Sequence, residues 1–455
     1  MRSFRRVAPS LAAIAVLLGC APDRPGADGT ADRPPIVVVV LDTLRPDALG
    51  FGGAPRETAP FLARMARGAA QFPEAQSTST WTAPATTSLL TGLYPPHHGV
   101  VAGLHWFKQN RPDGGDRQLH LQSIPADVPT LPEILRDAGY RTFGIAANIN
   151  VGPELGLDRG FDRFVRLGKG RGAGVAANEP GTLLADARAE TACTVLEQWR
   201  DEIRAAEHPF VYLHLNDVHA PYRIRDPWWR PTGRNPDRDA YDSEIGYLDH
   251  WVERMWRTLG FGEEAVLFVV SDHGEAFGEH GATGHAGALH AEVQGVVFFC
   301  RGPGVRPAIH AETVSLIDLA PTLLEWLDLA APATDGASLL SLLLATDSAR
   351  RTRTQLDARA VFGHKESFMD PLPDFWSVRA GPDKAILTAG RWSLFDVTRD
   401  PGERHDQIAS RPATADSLRD LVEAFAKTTR APDVPTVVDM DDDTVDALRS
   451  LGYAD

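Results

Sequence analysis

Two carboxylates, a hydroxyl and an imidazole, carried by three separate segments, are the side chains best suited to chemistry. Asp42 follows the apolar run IVVVVL, Thr82 opens the segment TAPATTSLLTG, and the pair Asp272 and His273 follows the apolar run AVLFVV and a serine. Side chains of these types can ligate a divalent metal. A hydroxyl bound to a metal becomes a nucleophile because its pKa falls. The residue types therefore predict a metal site that carries its own nucleophile.

The two apolar runs have the pattern of buried parallel strands, because they are short and rich in valine. Each places its polar residues just past the carboxyl end of a strand, the edge at which ligands bind in doubly wound α/β sheets. Thr82 precedes a helical run with Pro84 in its first turn, so Thr82 is the predicted N-cap. The N-terminus of such a helix favours a phosphate or sulfate anion.

The remaining pattern predicts two structural parts. Residues 35–345 alternate apolar strands with helical segments, which predicts a parallel sheet covered on both faces. The run 347–354 (DSARRTRT) is the predicted boundary, and residues 114–122 and 168–181 are predicted loops. Residues 346–455 carry strand signals at Ala360–Phe362, Phe375–Arg379, Lys384–Leu387 and Trp392–Phe395, an amphipathic helix at Ala413–Lys427, and a short acidic helix in the tail.

Composition limits the classes of partner. The chain has 455 residues, 43% of them hydrophobic, which is ample for a large core, and its formal net charge is −15. Nucleic-acid binding would need a basic face, and attraction to anionic lipid would need basic clusters. The composition indicates neither of them and leaves the oligomeric state open.

The N-terminus has the pattern of a targeting signal. MRSFRR is basic, VAPSLAAIAVLLG is apolar, and Cys20 follows. This pattern predicts a signal peptide over residues 1–19, and its end resembles a bacterial lipobox. We therefore expect an exported lipoprotein of the cell envelope, anchored to the membrane by a lipid on Cys20 and a flexible tether over residues 20–34. An ordinary secretory signal or an uncleaved anchor is the alternative. Export permits a disulfide between Cys193 and Cys300, but their spacing does not establish one.

Motifs along most of the chain resemble the sulfatase family of the alkaline-phosphatase superfamily. The segments that carry the resemblance are VVVLDTLRPDALG (38–50), TAPATTSLLTGLYPPHHGV (82–100), GYRT (139–142), HLNDVHAPY (214–222), SDHGEAFGEHG (271–281), IDLAPTLLEWL (317–327) and FDVTRDPGERHD (395–406). The resemblance implies an α/β fold of the alkaline-phosphatase and sulfatase type. Such a fold has a mostly parallel sheet sandwiched by helices, here the catalytic domain at 35–345, and a smaller C-terminal α+β subdomain at 346–455.

The resemblance also implies a metal site. Its four ligands would be Asp42, Thr82, Asp272 and His273, and Thr82 would be the nucleophile. Many sulfatases have a second aspartate where this chain has Thr43, so one oxygen ligand is missing. Zinc or manganese is favoured because imidazole is a softer donor than an amide oxygen, with calcium left open.

Further residues take roles from the family pattern. His219 is the expected general acid for the leaving group, and His285 is expected to contact the substrate anion. Asp217 is expected to orient His219 or to bind a second metal, whereas His214 is expected to be structural. The family's arginine after the nucleophile and its later anion-binding lysine are both absent. Asn148 is expected to replace that lysine in part, and the other candidates for the lost charge are Lys108, Lys169 and Lys384.

Thr82 decides the reaction class that the resemblance implies. Sulfatases of the main type convert a cysteine or serine at this place to formylglycine, and threonine cannot give that aldehyde. Relatives with threonine here act on phosphorus-containing substrates. The resemblance therefore favours hydrolysis of a phospho-ester, of the diester or phosphonate monoester type, in a small or glycan-linked anionic substrate.

Three alternatives stay open. One is hydrolysis of a sulfuric ester, as by an arylsulfatase, with an unmodified threonine. Another is transfer of a phosphorylated head group to an envelope glycan, although such enzymes usually carry several transmembrane helices. The third is a non-catalytic binding protein on the same scaffold, which loss of the arginine and lysine favours and retention of Asp42, Thr82, Asp272 and His273 opposes.

Overall fold

A large, mostly parallel sheet crosses the centre of the protein. The computed structural model describes residues 33–107, 118–167, 188–285, 287, 289–366, 374–430 and 436–437. The strands within these ranges are β1 Ile36–Leu41, β2 Ala70–Gln71, β3 Leu104–Phe107, β4 Gln118–Leu121, β5 Arg141–Ala146, β6 Arg163–Arg166, β7 Pro209–Leu215, β8 Val266–Val270, β9 Ala276–Phe277, β10 Thr283–Gly284, β11 Phe298–Arg301, β12 Ala308–Ile309, β13 Ala360–Lys365, β14 Phe375–Ala380, β15 Asp383–Thr388, β16 Arg391–Asp396 and β17 Thr436–Val437. The α-helices are α1 Pro60–Arg67, α2 Thr82–Thr91, α3 Pro95–His98, α4 Leu131–Asp137, α5 Ala189–Ala205, α6 Pro236–Leu259, α7 Ala291–Gln294, α8 Leu319–Trp326, α9 Leu340–Leu343, α10 Ala349–Ala358 and α11 Pro412–Ala426.

The central sheet has the spatial order β12-β2-β11-β8-β1-β7-β5-β6 in the described part of the chain. Strand β1 pairs in parallel with β7 and with β8, whereas β11 is antiparallel to β8. Every residue of β1 is buried. Side chains alternate along a strand, and Val38 and Val40 join one hydrophobic core while Val37 and Val39 join another. The sheet is thus covered on both faces, which confirms the predicted fold class.

A second, smaller sheet follows in the chain. Strands β13, β14, β15 and β16 form an antiparallel meander in that order. Helix α11 packs on it, with Leu418 and Val422 against Val378 and Ala385. The four strand signals of the sequence analysis lie within these strands, and the predicted amphipathic helix matches α11 to within one residue at each end. The run 347–354 lies mostly in α10, and a domain boundary there stays a prediction.

One predicted loop is partly wrong. Residues 118–121 form strand β4, which pairs antiparallel with β3 and with β17. The alternating sequence QLHL finds partners there, and long-range pairing of this kind cannot be read from the neighbouring glycines. The signal peptide, Cys20, Lys108, Lys169, the loop at 168–181 and the acidic tail helix lie outside the described residues.

Two further observations concern the cysteines and the membrane. Cys193 on α5 and Cys300 on β11 are both buried and unpaired as thiols, so the structure has no disulfide between them. In the described ranges, no helix combines the length and the hydropathy that crossing a membrane requires.

Candidate metal and nucleophile site

Three neighbouring strands bring the predicted site residues to one edge of the sheet. Val40 on β1 pairs with His214 on β7 and with Val270 on β8. Asp42 comes directly after β1, and Asp272 comes just after β8. Because these strands are parallel, their carboxyl ends open at the same edge, which is where the sequence predicts the site.

Two carboxylates and an imidazole form a buried cluster at this edge. Asp42, His214 and Asp272 each offer a ligand atom within 4.8 Å of the others. Asp42 Oδ1, Asp272 Oδ2 and both ring nitrogens of His214 have no hydrogen-bond partner among the described residues. Buried polar atoms without a partner are rare in folded proteins. An ion bound between them would satisfy the two carboxylate oxygens and one of the ring nitrogens of His214.

His273 presents a ring nitrogen to the same cluster. Its Nε2 lies 3.7 Å from Asp42 Oδ1 and 3.6 Å from Asp272 Oδ2. Its Nδ1 lies 3.0 Å from the carbonyl oxygen of Gly274, which can only accept, so Nδ1 carries the ring proton. Burial lowers the pKa of His273 and favours the neutral ring. Its Nε2 therefore directs a lone pair at the cluster, as a metal ligand requires.

Thr82 is the first residue of α2, and its hydroxyl lies at the cluster. Oγ1 is 3.2 Å from His273 Nε2, and Asn148 Nδ2 donates to it at 3.4 Å. The predicted N-cap is wrong by one residue, because Trp81 holds the cap position with extended backbone. Thr82 thus lies inside the first turn, where the helix dipole favours negative charge. All ten residues of α2 are buried.

The electrostatics of the cluster fit a bound cation. Burial, and then the charge of Asp272, raise the pKa of Asp42 well above its usual range. Burial opposes ionisation of Asp272 as well, but His273 and His214 lower its pKa to about 2. Two carboxylates this close repel each other, and a divalent cation removes that repulsion. Asp42, His214, Asp272 and His273, with Thr82 beside them, are therefore a suitable ligand set.

His214 is the ligand candidate that the sequence analysis assigns to a structural role. Its ring is fully buried, and Nε2 lies 3.7 Å from Asp272 Oδ2. A histidine inside an apolar strand looks the same in sequence whether its ring packs or ligates. The signal that identifies it is the register of β7 against β1 and β8, which puts His214 beside the ends of both strands.

The turn after Asp42 is braced from two sides. Thr43 Oγ1 donates to the carbonyl oxygen of Val218 at 2.9 Å, so this side chain is not directed at the metal cluster. Tyr241 Oη donates to the carbonyl oxygen of Thr43 and accepts from the amide of Arg45, both at 2.8 Å. Thr43 has a φ of 58°, a strained conformation for a β-branched residue. Strain of this kind persists only where the surroundings hold it, and it is concentrated at functional sites.

Two of the predicted substrate residues make contacts within the protein. Asn148 Nδ2 donates to Asp42 Oδ2 at 2.7 Å in addition to its contact with Thr82. Asp217 accepts from the amide of Ala189 at 2.9 Å, at the start of α5. Asn148 therefore holds the side chains of Asp42 and Thr82 in place, and a substrate role for Asn148 or Asp217 stays a prediction.

His219 and His285 face each other with their Nε2 atoms 3.0 Å apart. Nδ1 of His219 donates to the carbonyl oxygen of Ala220, and Nδ1 of His285 donates to that of Thr80. One Nε2 atom must then also carry a proton, because two lone pairs at this distance repel. Burial and the charges of His273 and His219 lower the pKa of His285 well below its usual range. The lowered pKa of His285 makes its Nε2 the acceptor in this contact.

This histidine pair lies beside His273 and the start of α2. The ring of His285 is 4.6 Å from that of His273 and 5.2 Å from that of Trp81, centroid to centroid. Glu275 is fully buried, and the charge of His219 opposes the rise in its pKa that burial causes. The sequence analysis does not single out Glu275, although it stands two residues after His273 in the same motif.

Comparison with known proteins identifies the family. The profile of the family described as Sulfatase matches residues 34–329, well over half of the chain. The chain belongs to the sulfatase family. This membership places it among ester hydrolases of the alkaline-phosphatase superfamily, which act on sulfuric or phosphoric esters, and agrees with the predicted enzyme class.

The sulfatase-family protein is similar to several characterised relatives. It is 26% identical over 434 residues to arylsulfatase A of Bos taurus, in an alignment that covers 85% of this chain and 80% of the relative. It is 25% identical over 473 residues to choline-sulfatase of Rhizobium meliloti (strain 1021), with 86% of each chain covered. The phosphonate monoester hydrolase of Agrobacterium radiobacter has a similar structure, with a TM-score of 0.67 at 18% identity over 90% of this chain and all of the other.

Proposed function

We propose that this sulfatase-family protein is a metal-dependent hydrolase that cleaves phospho-esters, with unmodified Thr82 as the nucleophile. The position of the Thr82 hydroxyl carries the proposal. It lies at the start of the buried helix α2, 3.2 Å from His273 Nε2 and beside the unpartnered carboxylate oxygens. A threonine cannot be oxidised to the formylglycine aldehyde, so the side chain that attacks must be the hydroxyl itself.

The residues of the chain then have distinct tasks. Asp42, His214, Asp272 and His273 would hold the divalent metal. When bound, the metal would lower the pKa of the Thr82 hydroxyl and neutralise charge on the substrate oxygens. Asn148 orients Thr82 and Asp42 through its amide. The N-terminus of α2 directs its positive end toward the anionic group of the ester.

The reaction would proceed in two displacements. The oxygen of Thr82, which has first lost its hydroxyl proton to solvent, attacks phosphorus, the bond from phosphorus to the leaving oxygen breaks, and His219 donates its proton to that oxygen. The phosphoryl group is now esterified to Thr82. His219, now neutral, takes a proton from water as the water attacks phosphorus and releases Thr82. Before the substrate binds, His285 Nε2 accepts the hydrogen bond that His219 Nε2 donates. This contact holds the His219 ring in one orientation.

Two observations bear on the substrate class, and they favour different central atoms, phosphorus and sulfur. Threonine at the nucleophile position favours phosphorus, and the fold is shared with a phosphonate monoester hydrolase. The names of the relatives favour sulfur, because arylsulfatase A and choline-sulfatase are among them. Sulfuric ester hydrolysis is therefore the second candidate function. Phosphorus remains the proposal because the site of this chain has no residue that could become formylglycine at position 82.

The test compares matched substrates on one purified protein. The protein, loaded in turn with zinc, manganese or calcium, is assayed with an aryl phosphodiester, an aryl phosphonate monoester, an aryl phosphomonoester and an aryl sulfate. Thr82→Ala is the test variant, and Thr346→Ala, at an exposed threonine, is the control. We expect phosphorus turnover to fall about a thousandfold or more in Thr82→Ala and to be unchanged in the control. Turnover of the sulfate alone would contradict the proposal.

We also propose that the protein is held in the cell envelope by a lipid on Cys20. The basic start, the apolar stretch and the position of the cysteine support this, and the proposal is independent of the chemistry. Cys20→Ser should move the protein from the membrane fraction to the soluble fraction of cells. If wild type and Cys20→Ser were distributed equally between the two fractions, the proposed anchor would be contradicted.

A further inference from the structure

An open pocket of about 490 Å³ lies between the smaller sheet and the segment that follows the candidate metal ligand His273. Helix α11 packs on one face of the sheet, against Ala385 and Leu394. Side chains alternate between the two faces of a strand, so the neighbouring residues of β15 and β16 project from the other face. This other face forms a wall of the pocket with two cross-strand pairs, Ile386–Ser393 and Thr388–Arg391.

The pocket adjoins the candidate site through the chain that follows His273. The amide of Gly274, the next residue, donates to the carbonyl oxygen of Val293, a pocket residue, at 2.7 Å. Ala282 also lines the pocket. It precedes His285 by three positions, which limits the distance between their Cα atoms to about 11 Å. A ligand in the pocket is therefore close enough to belong to a substrate whose ester lies at the metal site.

His280 brings a positive charge to the pocket. Its Nδ1 lies 2.8 Å from Glu292 Oε1, and its Nε2 lies 2.9 Å from the carbonyl oxygen of Glu403. Both partners accept, so both ring nitrogens carry a proton and the ring is an imidazolium. Burial opposes this charge, but the hydrogen bonds with Glu292 and with the backbone of Glu403 raise the pKa of His280 above its usual value.

Arg391 is a second cation, and it is not neutralised by the protein. The residue is exposed, and its guanidinium has no hydrogen-bond or ion-pair partner among the described residues. Lys384, a candidate from the sequence for the missing family cation, is already bound to Glu403 at 2.7 Å. The turn before Arg391 has positive φ at Ala389 and Gly390, 48° and 78°, as a tight type I′ hairpin requires. The guanidinium is therefore carried by a rigid element.

The pocket also offers groups that pair with hydroxyls. His290 stacks on His280 with a centroid distance of 3.7 Å and 5° between the ring planes. Its Nδ1 donates to Glu403 Oε2 at 2.9 Å, which leaves Nε2 without a partner in the described part of the chain. Thr388 and Ser393 add hydroxyl groups to the lining. A ligand that fits this combination carries several hydroxyls and an anionic group, as an anionic sugar does.

We propose that this pocket is a second substrate subsite, which binds an anionic sugar unit of the molecule whose ester is cleaved at Thr82. Arg391 binds the carboxylate, sulfate or phosphate of that sugar, and Thr388, Ser393 and His290 bind its hydroxyls. The inference rests on the proposed function for the reaction. It extends that function by narrowing the substrate to an ester of an anionic glycan and by making the smaller sheet part of substrate recognition.

The first test measures binding without turnover. Glucuronate, a glucose sulfonate, a glucose phosphonate and uncharged glucose contain no ester, and each is titrated into the metal-loaded protein by calorimetry. The variants are Arg391→Gln and Arg391→Lys, and Arg399→Gln, at a side chain that is 86% exposed beyond the far end of β16, is the control.

We expect the wild type to bind at least one anionic sugar about tenfold or more tightly than glucose, and the tightest of the three identifies the anion. Arg391→Gln should lose about tenfold or more of that binding, as loss of one charge-assisted hydrogen bond does. Arg391→Lys should retain most of it, and Arg399→Gln should match the wild type. Because Arg391 is exposed, its variants should melt at the wild-type temperature.

The KM of two esters gives a second readout. In Arg391→Gln, the KM of a nitrophenyl ester without a sugar should be unchanged, whereas the KM of a nitrophenyl ester that carries the anionic sugar should rise about tenfold. An equal change for both esters overturns the inference, and so does anion binding within twofold of wild type in Arg391→Gln or a wild type that binds no anionic sugar more tightly than glucose. Loss of binding in Arg391→Gln supports the inference even where no ester is turned over, a result that counts against the proposed function alone.

Discussion

The Nε2 atoms of His219 and His285 lie 3.0 Å apart, and both rings already donate from Nδ1 to backbone carbonyls. Two neutral rings in this arrangement would oppose their lone pairs, so the contact is stable only when one proton lies between them. Under the proposed function, this is the proton that passes to the leaving group. The two histidines are therefore expected to differ in what their loss does to catalysis.

His219→Gln should lower kcat about a hundredfold or more for an ester with a poor leaving group, because the proton donor is lost. The effect should shrink to a fewfold for a nitrophenyl ester, whose leaving group needs no proton. His285→Gln should affect both esters alike, since His285 holds His219 in place and does not itself protonate the leaving group. A similar loss with both leaving groups in His219→Gln would contradict the assignment of the acid.

The inclusion of His214 among the metal ligands can be tested without any substrate. His214→Leu places an apolar side chain in the buried strand β7, so we expect the fold to tolerate the substitution. We expect it to bind zinc or manganese about ten- to a hundredfold more weakly than the wild type, measured by competition with a chelator. His405→Leu, at a side chain that is 82% exposed, is the matched control. Unchanged metal affinity in His214→Leu would show that the ring packs in the core and does not bind the metal.

Asn148 offers a test of positioning as distinct from binding. Asn148→Ala removes the donor that orients both Asp42 and Thr82, so kcat should fall about tenfold or more while KM changes little. Asn148→Asp should be worse, because it places a third carboxylate against Asp42. A rise in KM with kcat preserved would show that the amide contacts substrate, as the sequence pattern first indicated.

Glu403 provides a prediction about stability. Its buried carboxylate accepts from Lys384 Nζ at 2.7 Å and from His290 Nδ1 at 2.9 Å. Glu403→Gln leaves the buried Lys384 charge without its carboxylate, which should reduce the free energy of unfolding by about 3–5 kcal/mol. The double variant Glu403→Gln with Lys384→Met should recover much of this loss, measured by urea unfolding. A single variant as stable as the wild type would contradict the prediction.

The same pair sets a dependence on pH. Burial opposes ionisation of Glu403, but Lys384 and His290 hold its pKa below the usual value of 4.5. A lowered folded pKa means that the stabilisation is fully present above about pH 4.5 and is lost as the pH falls through the lowered value. The difference in unfolding free energy between wild type and Glu403→Gln should therefore narrow in acid. A difference that widens on acidification would contradict the predicted direction of the pKa shift of Glu403.

The sequence locates most of the candidate site because strand ends can be predicted from local pattern. Asp42 and Asp272 follow apolar runs that form β1 and β8, and Thr82 precedes a run that forms α2. His214 could not be assigned, since its role depends on the register between three strands. Local pattern predicts elements, whereas contacts between distant elements decide where the His214 ring lies.

Helix α2 is buried along its entire length, and its first turn is closely packed. A Cβ at Gly103 would come within 2.3 Å of Ala83 Cβ in the first turn. Thr87 Oγ1 donates to the carbonyl oxygen of Ala83, and Thr91 Oγ1 donates to that of Thr87. An element enclosed in this way cannot fray by itself, so its amide protons should exchange only through cooperative opening of the surrounding domain. The activity that remains during denaturation would then be proportional to the fraction of molecules that are still folded.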